Sequence, residues 1–173
     1  IARPWSKGRA ALIYRDNGRN LVLALKHGDR HDIVRPAALW MANAARPLVD
    51  DQMIVAPVPL HWARMIRRRF NQSALLARAV ARKLDLSWCP DLLVRPKRTR
   101  SLDGLGRDAR FEALQGMIEP HRRRRQHMMD RSVLLVDDVM TSGATLSAAA
   151  QACFRGGAAD VRVVTLARAA KDA

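Results

Sequence analysis

Apolar positions along the chain recur with two different spacings, and the spacing predicts the element. "RAALIYRD", residues 9–16, reads as a short strand, and "NGRNLVLALKHG", 17–28, as a turn and a short helix. Residues 35–48 are expected to form a helix entered through Pro36, whose fixed φ suits a first helical turn. "DQMIVAPVPL", 51–60, is a continuous apolar run that ends at prolines, which predicts a buried strand. Leu76, Ala79, Val80 and Leu84 share one face of a helix over 71–84. Leu92 to Val94 predicts a short strand. Residues 95–110 are basic, contain glycine and read as a loop, with a short helix near Phe111. Val133 to Val136 predicts a strand. Residues 143–154 predict a helix, with Leu146, Ala149, Ala150 and Cys153 at helical spacing. "RGGAADVRVVTLAR", 155–168, is a glycine turn followed by a strand.

Strand, helix, turn and strand in the last forty or so residues make a βαβ unit. Parallel strands joined by helices imply an α/β fold with helices flanking the sheet. In such sheets ligands sit at the carboxyl ends of the strands. At 173 residues the chain is read as one domain. That length buries roughly 70% of the unfolded surface, so folding needs neither a disulfide nor a metal. Cys89 and Cys153 are the only cysteines and form no CxxC pair. They read as buried thiols in a reducing, cytoplasmic setting. No apolar run approaches the ~20 residues of a membrane span, and no signal peptide is visible, so no membrane insertion is expected.

The chemistry is concentrated in "VLLVDDVMTSGAT", Val133 to Thr145. Two adjacent carboxylates, Asp137 and Asp138, end an apolar run, although paired acids repel each other and resist burial. The loop after them, Thr141, Ser142, Gly143, Ala144 and Thr145, enters a helix. Its backbone N–H groups have no helical partner, and with the helix dipole they make an anion site. Gly143 lets the backbone come close to a ligand. An ordinary strand-to-helix turn with a hydroxyl cap is the competing explanation. The acids decide between them. They would repel a phosphate but accept hydrogen bonds from vicinal hydroxyls beside it, and they favour positive charge developing on a sugar carbon. The combination predicts a sugar phosphate that reacts through a cationic transition state.

This stretch resembles the 13-residue phosphoribosyl pyrophosphate (PRPP) motif of type I phosphoribosyltransferases. The pattern matches throughout: four apolar residues, two acids, two apolar residues, and a Thr/Ser/Gly/Ala/Thr loop. The resemblance implies that Asp137 and Asp138 hold the ribose hydroxyls and that 141–145 wraps the 5′-phosphate. It implies Mg²⁺ carried by PRPP oxygens and water, with no direct protein ligand. Thr141 stands where 6-oxopurine salvage enzymes carry an aspartate, which sets that activity aside. "LALKHGDR", "IVAPVPLH", "RRRFNQSALLA" and "AADVRVVTLAR" follow the order seen in ComF-like competence proteins, so the resemblance covers nearly the whole chain. It implies the type I phosphoribosyltransferase fold, with residues 1–30 as a small N-terminal hood and 31–173 as the core. The four-cysteine zinc module common in those proteins has no counterpart in these residues. Arg69 stands where the family often has Gly, Leu102 where it often has Gln, and Ala113 where it often has Asn. These departures bear on turnover.

Charge widens the question. Lys and Arg number 31 against 16 Asp and Glu, a net +15. Residues 61–84 carry seven basic side chains and no acid, and 122–125 are four arginines. A solvated basic face and a polyphosphate or nucleic-acid site both fit this pattern. Pro57, Val58 and Pro59 lie where type I relatives keep a pyrophosphate loop, with Arg68 as a further pyrophosphate ligand. Arg67, Arg68 and Arg69, flanked by Trp62 and Phe70, suit single-stranded DNA through phosphate contacts and stacking. Arg95, Lys97, Arg98 and Arg100 are assigned to a flexible loop that closes over PRPP. Asn71 is either a phosphate contact or a helix cap, and Lys26 either reaches the site or caps its own helix. "GLGRDA", 104–109, follows no strand and is not read as a dinucleotide motif. His27, Asp29, His31 and Asp32 read as a solvated turn. The expected function is Mg-PRPP binding with phosphoribosyl transfer. The alternative is a non-enzymatic single-stranded-DNA-binding factor of the DNA-uptake machinery that uses PRPP as a ligand.

Overall fold

A computed structural model describes residues 3–27, 31–60, 71–96 and 106–169. In chain order these form β1 (Lys7–Ile13), α1 (Asp16–His27), α2 (Val34–Ala45), β2 (Ile54–Pro57), α3 (Gln72–Leu84), β3 (Ser87–Trp88), β4 (Leu93–Val94), α4 (Arg107–Leu114), β5 (Glu119–Pro120), β6 (Ser132–Met140), α5 (Ala144–Arg155) and β7 (Asp160–Arg168). Five strands make one parallel sheet in the order β1-β7-β6-β2-β3, and β4 and β5 pair antiparallel beside it.

The apolar run of β6 is continuous because both of its faces are covered. Val133 and Leu135 pack with Leu146, Ala149 and Cys153 of α5. Leu134 and Val136 pack on the other side with Met41 of α2 and with Leu76 and Val80 of α3. The β2–α3–β3 and β6–α5–β7 units therefore place their helices on opposite faces. The chain steps outward in opposite directions from the adjacent strands β2 and β6. A crevice opens at the carboxyl ends of strands wherever the winding reverses in this way.

Several predicted boundaries move for identifiable reasons. The helix expected over 35–48 ends at Ala45, and Arg46–Leu48 tightens to a 3-10 turn. Pro47 supplies no N–H to continue the ladder. The strand expected over 51–60 is confined to Ile54–Pro57, again because proline cannot donate to a sheet. The short helix expected near Phe111 is α4, held by Phe111 packing against the core; it begins at Arg107 and so takes the last four residues of the expected 95–110 loop. Arg95 is buried at 6% exposure beside β4, which is not the setting of a mobile lid residue. The strand expected over 133–136 continues to Met140. Residues 7–13, from the segment assigned to the hood, form the edge strand of the main sheet.

Candidate active site

Strand β6 has different neighbours on its two sides at the level of the acids. Pairing with β2 stops at Pro57↔Val136. Pairing with β7 runs on through Asp137↔Thr165 to Met140↔Arg168. Asp137 and Asp138 thus lie inside a ladder on one side and past the end of a strand on the other. Their backbone is held by β7 where the pairing with β2 has ended.

Each acid has its own partner. Ser73, in the first turn of α3, donates its hydroxyl to Asp137 Oδ1 at 2.8 Å. The Asp138 backbone N–H donates to the same oxygen at 2.9 Å. Lys26 Nζ, near the end of α1, lies 3.4 Å from Asp138 Oδ2. Burial, and then the negative charge of Asp138, push the Asp137 carboxyl up to about 7, against the lowering pull of Ser73. A group poised near neutrality in a crevice is typical of functional carboxylates.

Two helix ends fix this arrangement. Asn71 caps α3, its side-chain oxygen accepting the Ser73 N–H at 3.0 Å from an extended backbone at φ −100° and ψ 111°. The Asn71 amide also donates to the Val58 carbonyl at 3.4 Å. Asn71 is therefore the cap, and it ties α3 to the segment after β2. Gln72, almost fully buried, donates to the Lys26 carbonyl at 3.4 Å. That bond joins the end of α1 to the start of α3 and sets Lys26 over Asp138. Pro57, Val58 and Pro59 are buried next to the acids, with the Val58 N–H donating to the Val136 carbonyl at 2.9 Å.

The 141–145 loop begins where β6 ends. Gly143 takes φ +83° and ψ 6°, a left-handed conformation that favours glycine. The Ala144 N–H donates to the Ser142 hydroxyl at 3.3 Å, so Ser142 satisfies one N–H of the α5 terminus itself. Thr141 is exposed, Ser142 and Thr145 are half-buried, and the first turn of α5 contains no acid. The loop and the two acids are therefore contiguous on one strand–turn–helix unit, as the sequence pattern implied.

Ser73 and Gln72 escaped the sequence reading. Both lie in "RRRFNQSALLA", whose basic residues drew attention to charge. A hydroxyl in the first turn of a helix carries no signal until the strand it faces is known. Trp62, Arg67, Arg68, Arg69, Phe70, Lys97, Arg98 and Arg100 lie outside the described residues, as do Asp29 and the side chains of His27 and His31. Among the described residues, no three His, Cys, Asp or Glu side chains converge as metal ligands. Cys89 and Cys153 are buried free thiols, and burial pushes them up to about 11 and about 12. They are not poised as nucleophiles. No described helix is long and apolar enough to cross a membrane.

Comparison with known proteins shows the family and the fold. The phosphoribosyl transferase domain family matches residues 71–173. The chain is 34% identical over 172 residues to the DNA utilization protein YhgH of Escherichia coli, covering 95% of this chain and 73% of that protein. It is 33% identical over 115 residues to competence protein F of Haemophilus influenzae, covering 66% of this chain and 50% of that one. Among solved structures it superposes on the glutamine PRPP amidotransferase of B. subtilis with a TM-score of 0.54 at 14% identity. That match covers 84% of this chain and 30% of the larger enzyme, and it is a likeness of fold.

Proposed function

Because the chain belongs to the ComF-like branch of the type I phosphoribosyltransferase family, we propose that it binds Mg-PRPP in the crevice between β2 and β6 and transfers the phosphoribosyl group to an acceptor. The observation that carries the reading is the Asp137–Asp138 pair, held in place by Ser73 and Lys26, immediately before the Gly143 loop. The carboxylates accept the ribose hydroxyls. The loop N–H groups and hydroxyls of 141–145 take the 5′-phosphate. Residues 57–59, beside the acids, line the pyrophosphate end. As the acceptor bonds to the sugar carbon, the bond to pyrophosphate breaks, and the acids stabilise the positive charge that develops between the two events.

The donor set fits Mg²⁺ that arrives with PRPP. Two carboxylates already engaged by Ser73 and Lys26, with no third ligand among the described residues, suit a cation held mainly by substrate oxygens and water. When bound, that ion neutralises the leaving pyrophosphate. Incubating the pure chain with Mg-PRPP and a panel of nucleobases should release pyrophosphate with at least one acceptor. Calorimetric binding of PRPP without release under every condition would leave a PRPP-binding protein in place of an enzyme. Failure to bind PRPP at all would overturn the reading.

One observation favours a second activity, binding of single-stranded DNA. Arg122, Arg125 and Arg155 converge on a surface hollow of about 560 Å³ beside β5, which Glu119 also lines. Relatives carry the names "DNA utilization protein" and "competence protein", and contact with DNA-uptake machinery belongs with this reading. Single-stranded DNA should then bind without sequence preference, with affinity falling as salt rises. Replacing Arg122 and Arg125 with Ala should flatten the log–log salt slope by about 1.4, since each lost phosphate contact removes about 0.7. An unchanged slope, or no binding at low salt, would make the arginines a solvated face.

A further inference from the structure

Strand β1 ends the main sheet, and among the described residues no strand pairs with its outer side. The Ser6 and Tyr14 N–H groups donate to the Val161 and Arg168 carbonyls of β7 at 2.9 and 2.7 Å. Backbone groups alternate in direction along a strand, so Gly8, Ala10 and Leu12 also bond to β7. Lys7, Arg9 and Ala11 then turn their N–H and C=O groups outward. The Ile13 carbonyl is taken by the Arg15 N–H at 2.9 Å, which closes the open stretch at that end. Lys7, Gly8 and Arg9 are exposed, and Ile13 is 64% exposed. An open edge with outward N–H and C=O groups is a template for one more strand.

Charge and shape say which kind of strand. Residues 3–15 carry Arg3, Lys7, Arg9 and Arg15 and no acid. A groove of about 500 Å³ runs along Gly8–Ile13, and Arg9 and Arg168 line it while no acid does. Gly8 and Ala10 keep its floor low, and Trp5 and Val163 stand beside Gly8, within 3.1 and 2.7 Å of where a Cβ would be. One face of the edge is therefore shallow and apolar, and the alternate positions Lys7 and Arg9 are basic. Basic side chains on an edge strand discourage pairing with a second basic copy. The same two side chains attract a strand of opposite charge.

We propose that the β1 edge is a docking site for an extended acidic segment of another protein, which adds to the sheet beside β1 with its acids opposite Lys7 and Arg9 and apolar side chains over Gly8 and Ala10. Main-chain hydrogen bonds to Lys7, Arg9 and Ala11 supply affinity, and side chains at a period of two supply selectivity. Opposite charges directly across a strand pair stabilise it, and like charges destabilise it. The surface uses neither the acid pair nor the 141–145 loop, so it stands or falls independently of the PRPP reading.

The probe is a capped peptide that alternates glutamate and valine over about six residues, the usual length of a strand. It is titrated into the intact chain and followed by calorimetry and amide hydrogen exchange. It should bind saturably and slow exchange of the Arg9 and Ala11 amides by at least about tenfold at saturation, because those N–H groups become hydrogen-bonded. A peptide alternating lysine and valine should not bind. The same glutamates and valines in two blocks should bind at least about tenfold more weakly, since only alternation puts every acid on one face. Lys7→Glu/Arg9→Glu should reverse the choice and favour the lysine peptide by about tenfold. Ala11→Pro should abolish binding, because it removes an outward N–H and no bond to β7. If thermal melting shows that the proline variant unfolds, the charge reversal, made on two exposed side chains, decides alone. No saturation by about 5 mM would overturn the proposal. So would equal affinity for the alternating and block peptides, or unchanged exchange at Arg9 and Ala11. Protection of the same amides that rises with protein concentration in the absence of peptide would also overturn it, and would make the edge an interface between copies of this chain.

Discussion

Asp137→Asn should make the folded chain more stable at pH 8 while weakening PRPP binding. The Asp137 carboxyl is raised from 3.8 to about 7 by burial and by the neighbouring charge of Asp138. Below about pH 4 the carboxyl is protonated in folded and unfolded chains alike, and it costs nothing. Between about pH 4 and 7 the unfolded chain ionises and the folded one resists, so stability falls as pH rises. Above pH 7 the full penalty remains. Asparagine keeps an oxygen for the Ser73 and Asp138 donors and removes the charge. Its stabilisation should be of order 2–4 kcal/mol at pH 8 and shrink towards nothing near pH 4. Ligand binding should respond in the opposite direction. Replacing both acids removes two charge-assisted acceptors for ribose hydroxyls and should weaken Mg-PRPP by about 100-fold. Urea unfolding at the two pH values and calorimetry of the double variant check both halves. A folded double variant with wild-type PRPP affinity would remove the acids from the site.

Gly143→Val should carry the other large effect. At φ +83° a β-branched residue is strained by about 1–3 kcal/mol. Its methyl groups would also extend from a Cβ already 3.4 Å from Trp5. The loop must move, and its N–H groups lose their shared aim. Orthophosphate affinity should fall by at least about tenfold, with Gly143→Ala intermediate. Phosphorus NMR titration together with thermal melting separates the two consequences. Lowered melting with unchanged phosphate affinity would show that the anion binds elsewhere.

The two predictions rest on residues of unequal legibility. Asp137, Asp138 and the 141–145 loop were readable as one contiguous group because they lie within one strand, one turn and the start of one helix. Local order dictates which groups stand next to one another there. The helix over 72–84 was readable for the same reason, since Leu76 and Val80 repeat at the helical period and Asn71 has the chemistry of a cap. The parallel α/β arrangement was implied once strands and helices alternated, and with it the end of the sheet where a ligand would sit.

What lay beyond the sequence depends on which distant segments meet. Lys26 could have capped its own helix. Gln72, bonded to the Lys26 carbonyl across 46 residues, puts it over Asp138 instead. Ser73 reaches Asp137 only because α3 packs beside β6. Strand β6 was expected to stop at the acids, since charge normally ends an apolar strand. Strand β7 carries the ladder on to Met140 and holds the acids' backbone, while the pairing with β2 stops at Val136. Arg95 looked like part of a basic loop and is buried beside β4. Trp5 and Arg3 had no visible link to Gly143, about 140 positions away. Neighbours along a strand or helix turn are set by backbone geometry, so residue order alone determined the acid pair and the loop that follows it. Partners that tune the acids come from packing between segments. Only the tertiary structure decided those, because side-chain contacts across the core have no local period for a sequence to display.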